Sequence, residues 1–250
     1  MFLEHQVKIA IERLKTFEPE EGYYLAFSGG KDSIVIKQLA IESGVKFDAH
    51  YNDTTIDPPE LRLFIKRNHA DVEWHKPKVP FLVEMVKRGF PMRQHRWCCG
   101  DYKERGGDNR IVITGVRWAE SHNRSKRNSF ETCYKSKKQY LHPIIDWSDG
   151  DVWGFIRDRK LPYCSLYDEG WKRIGCIMCP LATAKVRKTE SKRYPNMTKG
   201  FIRAFEKLYI NKNPEVVKRW KNGADMFDWW LNRVDERTSD YDENQTMMFE

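Results

Sequence analysis

Leu3, Val7, Ile11 and Leu14 recur at intervals of three and four through a charged stretch, a stripe that predicts an amphipathic helix over residues 3–16. YYLAF (23–27) is short, apolar and aromatic and reads as a strand; it runs into SGGKDS, and IVIKQLAIESG then reads as a helix ending near Gly44. The alternation continues. FDAHYND (47–53) and DVEWH (71–75) read as strands, and PPELRLFIKRNH (58–69) and FLVEMVKRG (81–89) as helices, the first opened by prolines. IVITGV (111–116) reads as a buried strand, and SDGDVWGFIRDR (148–159) as a helix with Val152, Trp153 and Ile156 on one face behind a Ser or Asp cap. Beyond Cys179 the pattern is helical and basic, clearest at FIRAFEKLYI (201–210) and MFDWWLNRV (226–234). Strands alternating with helices predict an α/β fold, a mostly parallel twisted sheet with helices on both faces and right-handed crossovers. A basic helical C-terminal region follows, with the division expected near residue 180, into 1–180 and 181–250.

Composition supports a folded chain. Of 250 residues 40% are hydrophobic and 13% aromatic, too many core formers for general disorder. No apolar run approaches the roughly 18 to 20 residues of a membrane span, and the first residues alternate charge with apolar groups, so a cytoplasmic protein without a membrane partner is expected. The formal charge of +8 is uneven: residues 122–139 and 185–200 are strongly basic, interleaved with Tyr134, Tyr140 and Tyr194, while 235–250 is acidic. Such runs suit an anionic partner, nucleotide phosphates or a nucleic-acid backbone, or are solvated faces.

SGGKDS (28–33) falls where a strand ends and a helix begins, so free backbone N–H groups and the positive end of the helix dipole converge there. Gly29 and Gly30 allow close approach, Ser28 and Ser33 offer hydroxyls, and Lys31 adds a charge. A Walker A loop would need a glycine at position 25 and Ser or Thr after Lys31; Leu25 and Asp32 stand there instead. Asp53, at the end of the second strand, is a candidate for a ribose hydroxyl or a magnesium ion. The remaining chemistry is in the cysteines. RWCCGDYK (96–103) and GCIMCP (175–180) place Cys98 and Cys99 beside one another and Cys176 and Cys179 at C-x-x-C spacing. Adjacent ligands suit the separate irons of a 4Fe–4S cube better than one tetrahedral zinc, with structural zinc, a redox disulfide and unliganded thiols as alternatives. Cys133 and Cys164 have no partner at ligand spacing and read as structural.

SGGKDS resembles the pyrophosphate loop of the adenine nucleotide alpha-hydrolase superfamily. That resemblance implies binding of ATP or a sulfonucleotide and, in adenylating members, release of pyrophosphate. It carries a nucleotide-binding role to Ser28, Gly29, Gly30, Lys31, Asp32 and Ser33, and to Asp53 and Thr54 as the family's Asp-Thr pair. GVRWAESHNR (115–124) resembles the family's Gly-hydrophobic-Arg segment, which makes Arg117 and Arg124 candidates for phosphate or sulfate contacts. Lys31, Asp32 and Arg117 are the candidate catalytic residues. Cys-Cys, a long gap and Cys-x-x-Cys resemble the cluster motif of assimilatory adenylyl-sulfate reductases, which implies Cys98, Cys99, Cys176 and Cys179 as cluster ligands. Arg96 and Lys103 match its basic flanks, and residues 142–180 resemble the family's segment leading into Gly-Cys.

The reductases of that family attack the sulfonucleotide with a cysteine near the C-terminus, and here the last cysteine is Cys179. The expectation is therefore ATP-dependent sulfur insertion, resembling tRNA thiolation enzymes and DNA phosphorothioation proteins, with a nucleic-acid acceptor, tRNA or DNA. A sulfur donor such as a cysteine desulfurase would serve it. Sulfonucleotide reduction with a relocated thiol and a non-catalytic nucleotide or nucleic-acid binding module are the alternatives.

Overall fold

The computed structural model describes residues 2–133, 137–212 and 214–233, so Tyr134 and the acidic stretch 235–250 lie outside the described residues. Two compact units interleave along the chain. Met1–Asn52, Pro59–His75 and Arg105–Ile174 make the first, and Asp53–Pro58, Lys76–Glu104 and the described residues from Gly175 onward make the second. Chain neighbours are thus split between units, and a single cut near residue 180 does not separate them: segments 53–58 and 76–104 share the core of the C-terminal helices.

The first unit is built on six strands: β1 (Tyr23–Ala26), β2 (Phe47–Asn52), β3 (Glu73–His75), β4 (Ile111–Ile113), β5 (Phe130–Thr132) and β6 (Gln139–Leu141). They lie in the order β3-β2-β1-β4-β6-β5, parallel except for β5, which pairs antiparallel with β6. The antiparallel pair was not legible in the basic run 122–139, because its strands are three residues long and their polar positions mask the alternation. Helices α1 (Phe2–Thr16), α2 (Lys31–Ser43), α3 (Pro59–Asn68) and α4 (Phe81–Arg88) follow the sequence pattern within two or three residues, as does α5 (Asp149–Asp158). The core joins Val7, Ala10 and Leu14 of α1 with Leu25, Ile36, Leu39, Trp147 and Phe155. Arg13 clamps α1 with a two-pronged bond to Asp146 at 2.8 and 2.9 Å and a third to the Pro143 carbonyl.

β1 is flanked by β2 on one side and β4 on the other, so the strand order reverses there. At such a switch point the connections leave in opposite directions and open a crevice at the carboxyl ends of the strands, which is where residues 28–33 fall.

The second unit contains α4, α6 (Ala184–Arg193), α7 (Pro195–Asn211), α8 (Pro214–Val217) and α9 (Gly223–Asn232). Pro195 starts α7 at the position where its missing N–H costs nothing, and Asn222 caps α9 through the Asp225 amide. Phe201, Phe205, Phe227 and Trp230 pack between α7 and α9, and the Trp230 indole donates to the Pro91 carbonyl at 3.0 Å. Arg187, in the basic run 185–200 that was read as suiting an anionic partner or as a solvated face, is 5% exposed and donates to the carbonyls of Ala182 and Leu231. No helix among the described residues is long and apolar enough to cross a membrane.

Candidate functional site

The residues after β1 form a tight loop into α2. Gly29 takes φ +74°, and a Cβ there would lie 2.8 Å from the side chains of Leu61 and Ile65, so both conformation and space demand glycine. Gly30, the N-cap of α2, supplies no side-chain cap, and the amide of Lys31 at the head of the helix donates to the Tyr167 hydroxyl. The Ser28 and Ser33 hydroxyls lie 3.3 Å apart, and Ser33 donates to the Gly30 carbonyl at 2.8 Å. Both hydroxyls therefore sit on the same side of the turn as the head of the helix.

The charged residues of the loop are held from below. Arg117, 1% exposed, donates from Nε to Asp32 at 2.7 Å, from Nη1 to the Trp147 carbonyl at 3.1 Å and from Nη2 to Asp149 at 2.5 Å. Burial works against its charge, but Asp32, Glu120 and Asp149 outweigh it and raise the guanidinium pKa further. Lys31 is also buried, with Nζ 3.4 Å from Asp32 and 3.5 Å from Asp149. Two cations and two carboxylates thus balance beneath the loop, and Gly115 makes room for them, since a Cβ there would lie 2.8 Å from the Asp32 Cβ. In this arrangement Arg117 fixes Asp32; its three donating nitrogens point into the protein.

Arg124 differs. It is 3% exposed and ion-paired through Nη1 to Glu120, while its Nε and Nη2 have no hydrogen-bond partner. Desolvation, reinforced by the charge of Arg173, lowers its pKa, whereas Glu120 and Asp32 raise it. An anion arriving beside Arg124 would relieve an unfavourable burial. Arg173 reaches the other oxygen of Glu120 at 3.3 Å. Tyr167, from the turn after α5, places its hydroxyl 2.9 Å from the Lys31 amide, which donates to it. Tyr167, Asp149 and Arg173 were not singled out from the sequence; they lie in the segment 142–180 that resembles the family's, but no spacing there ties them to the loop.

Asp53 and Thr54 belong to the second unit. Asp53 is 2% exposed and accepts from the Thr55 amide at 2.8 Å, and the Thr54 amide donates to Asp57 at 3.1 Å. The Thr54 hydroxyl receives the Cys176 thiol at 3.5 Å, so this pair is seated against a cysteine. Around it, Cys98 precedes a short helical turn, Cys99–Lys103, and Cys179 closes a turn in which Met178 has φ +54°. All six cysteines are free thiols. The four of the paired motifs interact: Cys98 is hydrogen-bonded to Cys99, which lowers the Cys99 pKa to about 7 and raises that of Cys98. Burial raises Cys176 and Cys179, opposed by the ammonium of Lys103. Lys103 feels Cys99, Cys176 and Cys179 together, so one cation is common to both motifs. Glu190 accepts from the Met178 amide at 2.6 Å, and burial pushes its carboxyl up to about 7. Cys164 is packed in the first core at 0% exposure, and Cys133 is half-buried after β5.

The chain is similar to several known proteins. The chain is 33% identical over 218 residues to the adenosine 5'-phosphosulfate reductase of Staphylococcus epidermidis, covering 78% of this chain and 86% of that protein. It is 32% identical over 228 residues to the uncharacterized protein MJ0066 of Methanocaldococcus jannaschii, covering 84% of this chain and 44% of that protein. The chain thus spans about half the length of that relative and of a second from the same organism, of which it covers 51%. Among solved structures, phosphoadenylyl-sulfate reductase from Candida auris superposes with a TM-score of 0.53 at 20% identity, over 70% of this chain and 93% of that one. FMN adenylyltransferase from Candida glabrata gives 0.52 at 14% identity, over 70% and 64%, a likeness of fold. The sequence model of the phosphoadenosine phosphosulfate reductase domain matches residues 22–182, and the chain belongs to that family.

Proposed function

We propose that the protein activates an acceptor oxygen with ATP and replaces that oxygen by sulfur. The observation that carries this reading is the head of α2, whose N-cap glycine supplies no side-chain cap, together with the buried N–H groups of Arg124 that have no hydrogen-bond partner. A polyphosphate satisfies both: the helix amides with Ser28 and Ser33 suit the β- and γ-phosphates, and Arg124 with Arg173 suits a further phosphate oxygen. The acceptor oxygen attacks the α-phosphorus, the bond to the bridging oxygen breaks, and pyrophosphate leaves with the electron pair. A sulfur nucleophile at the sulfide level then displaces AMP, with no net oxidation. Donors fixed in advance around the leaving phosphates stabilise the charge that develops on them.

Cys98, Cys99, Cys176 and Cys179 are the residues that would hold a 4Fe–4S cluster. Two adjacent cysteine ligands suit the separate irons of a cube better than one tetrahedral zinc. When bound, such a cluster supplies an iron at which sulfide can be held. The acceptor in this reading is a nucleic acid, tRNA or DNA, met by exposed cations such as Lys126, Lys185, Lys188 and Lys192. Asp53 remains the proposed magnesium or ribose ligand, and a cysteine desulfurase the proposed sulfur source.

A second reading, reduction of adenylyl sulfate, is favoured by the name of the Staphylococcus relative and by an anion site that suits sulfate equally well. The test uses anaerobically purified protein. Labelled pyrophosphate entering ATP, and losing that exchange in Asp32→Ala and Ser33→Ala, is the expected result. Sulfite released from adenylyl sulfate by a thiol, without any exchange, overturns sulfur insertion in favour of reduction.

A further inference from the structure

On the outer strands of the sheet, β2 and β3 pair in parallel with His50 opposite Glu73 and Asn52 opposite His75. Residues two apart on a strand share a face, so Asp48, His50, Glu73 and His75 all project from one side. His50 Nδ1 lies 2.8 Å from His75 Nε2 and 3.4 Å from Glu73 Oε2, and Glu73 Oε1 lies 3.8 Å from His75 Nε2. These ligand atoms all fall within 4.8 Å of one another. The other nitrogen of His50, Nε2, is hydrogen-bonded to Asp48, whose carboxylate is gripped by Arg110. Tyr24 of β1 stacks on the His50 ring at 4.0 Å between centroids and fixes its plane.

We propose that His50 Nδ1, His75 Nε2 and the Glu73 carboxylate form a binding site for a divalent transition-metal ion of the zinc class, with Asp48 as the outer carboxylate that orients His50. Asp48 holds the proton on Nε2, so Nδ1 accepts from His75 Nε2–H in the metal-free protein, and an ion between the two nitrogens takes the place of that proton, which moves to His75 Nδ1. Ligands 2.0–2.1 Å from a tetrahedral ion stand about 3.3 Å apart. Of the distances to Glu73, which run to its two different oxygens, that from His50 is close to this value, and the His75 distance and the imidazole pair each need to change by about half an ångström. Two imidazoles and one carboxylate are a recognised zinc set that leaves a fourth position open. β3 is an edge strand, and the Glu73 and His75 side chains are 65% and 34% exposed, so an ion has a path in from solvent. The charge of Arg105 opposes an ion beside His75 and that of Glu73 favours it, the effect of Glu73 being the larger.

The site is independent of the nucleotide reading, and its test separates it from the cysteines. Metal-free full-length protein is titrated with cobalt(II), followed by visible absorption. The expected result is one bound ion without thiolate-to-metal charge transfer, its affinity at least tenfold weaker in His75→Ala and in Glu73→Gln, about tenfold weaker in Asp48→Asn, and unchanged in Cys176→Ser. Glu73→Gln keeps the size of an exposed side chain, so it serves even if His75→Ala does not fold. Wild-type protein that binds cobalt through thiolates alone, or a thiolate-free ion bound as tightly by Glu73→Gln as by wild type, overturns the proposal.

Discussion

The Tyr167 hydroxyl accepts a hydrogen bond from the Lys31 backbone N–H at 2.9 Å, across 136 positions of sequence. That amide is one of the donors at the head of α2 that a phosphate would use. Ligand binding therefore exchanges a phenol oxygen for a phosphate oxygen. Tyr167→Phe removes the competitor, and a neutral hydrogen bond is worth about 0.5–1.5 kcal/mol. Pyrophosphate or ATP affinity, measured by calorimetry, is expected to rise about two- to tenfold; a weaker Kd in the variant means that the hydroxyl helps the ligand.

Gly29 supports the same loop in a different way. Gly29→Ala places a methyl 2.8 Å from Leu61 and Ile65 at a φ of +74°. Steric conflict and left-handed backbone together cost about 1–3 kcal/mol. The urea midpoint is expected to fall and the nucleotide affinity to fall with it, because the turn cannot keep its shape. A variant with wild-type stability and binding would show that the loop relaxes freely.

A pH dependence resides where the residue after α3 meets α2. His69 is buried at 8% exposure, 3.2 Å from the Lys37 ammonium, and burial followed by that charge lowers its pKa from 6.5 to about 4. The folded state refuses a proton that the unfolded chain accepts. Stability from this residue is thus complete above pH 6.5 and is lost as pH falls from 6.5 toward 4, by at most about 3 kcal/mol. Urea unfolding at pH 7 and pH 4.5 checks it: His69→Gln should lose less stability over this interval than wild type, and equal losses would refute the assignment.

The thiols make a spectroscopic prediction. Protein purified without oxygen is expected to be brown, with the broad visible absorbance of iron bound to thiolate and sulfide, and Cys176→Ser to lose both colour and sulfide. Colourless wild-type protein whose single zinc per chain is lost in Cys176→Ser would instead make the four cysteines a structural metal site.

Much of the first unit could be read directly from the chain. The period of α1, the apolar β1 and the loop at 28–33 are local patterns, and the backbone conformation they encode depends on near neighbours. The short β5 and β6 were missed because three residues hold too little alternation to detect. Arg187 was read as a member of a basic run and Arg124 as a candidate phosphate contact, and neither reading reveals that the side chain is folded inward.

By itself the sequence determined the kinds of chemistry available: a phosphate-type turn, two thiol pairs, and strands alternating with helices, all carried by spacing along the backbone. Tertiary structure decided which of these groups meet. Arg117 was committed to Asp32 and Asp149, Thr54 to Cys176, Tyr167 to Lys31, and His50 to His75, each through contacts between distant segments. The physical reason is that a side chain's partner depends on strand order and core packing, and those emerge only when the whole apolar pattern is buried at once.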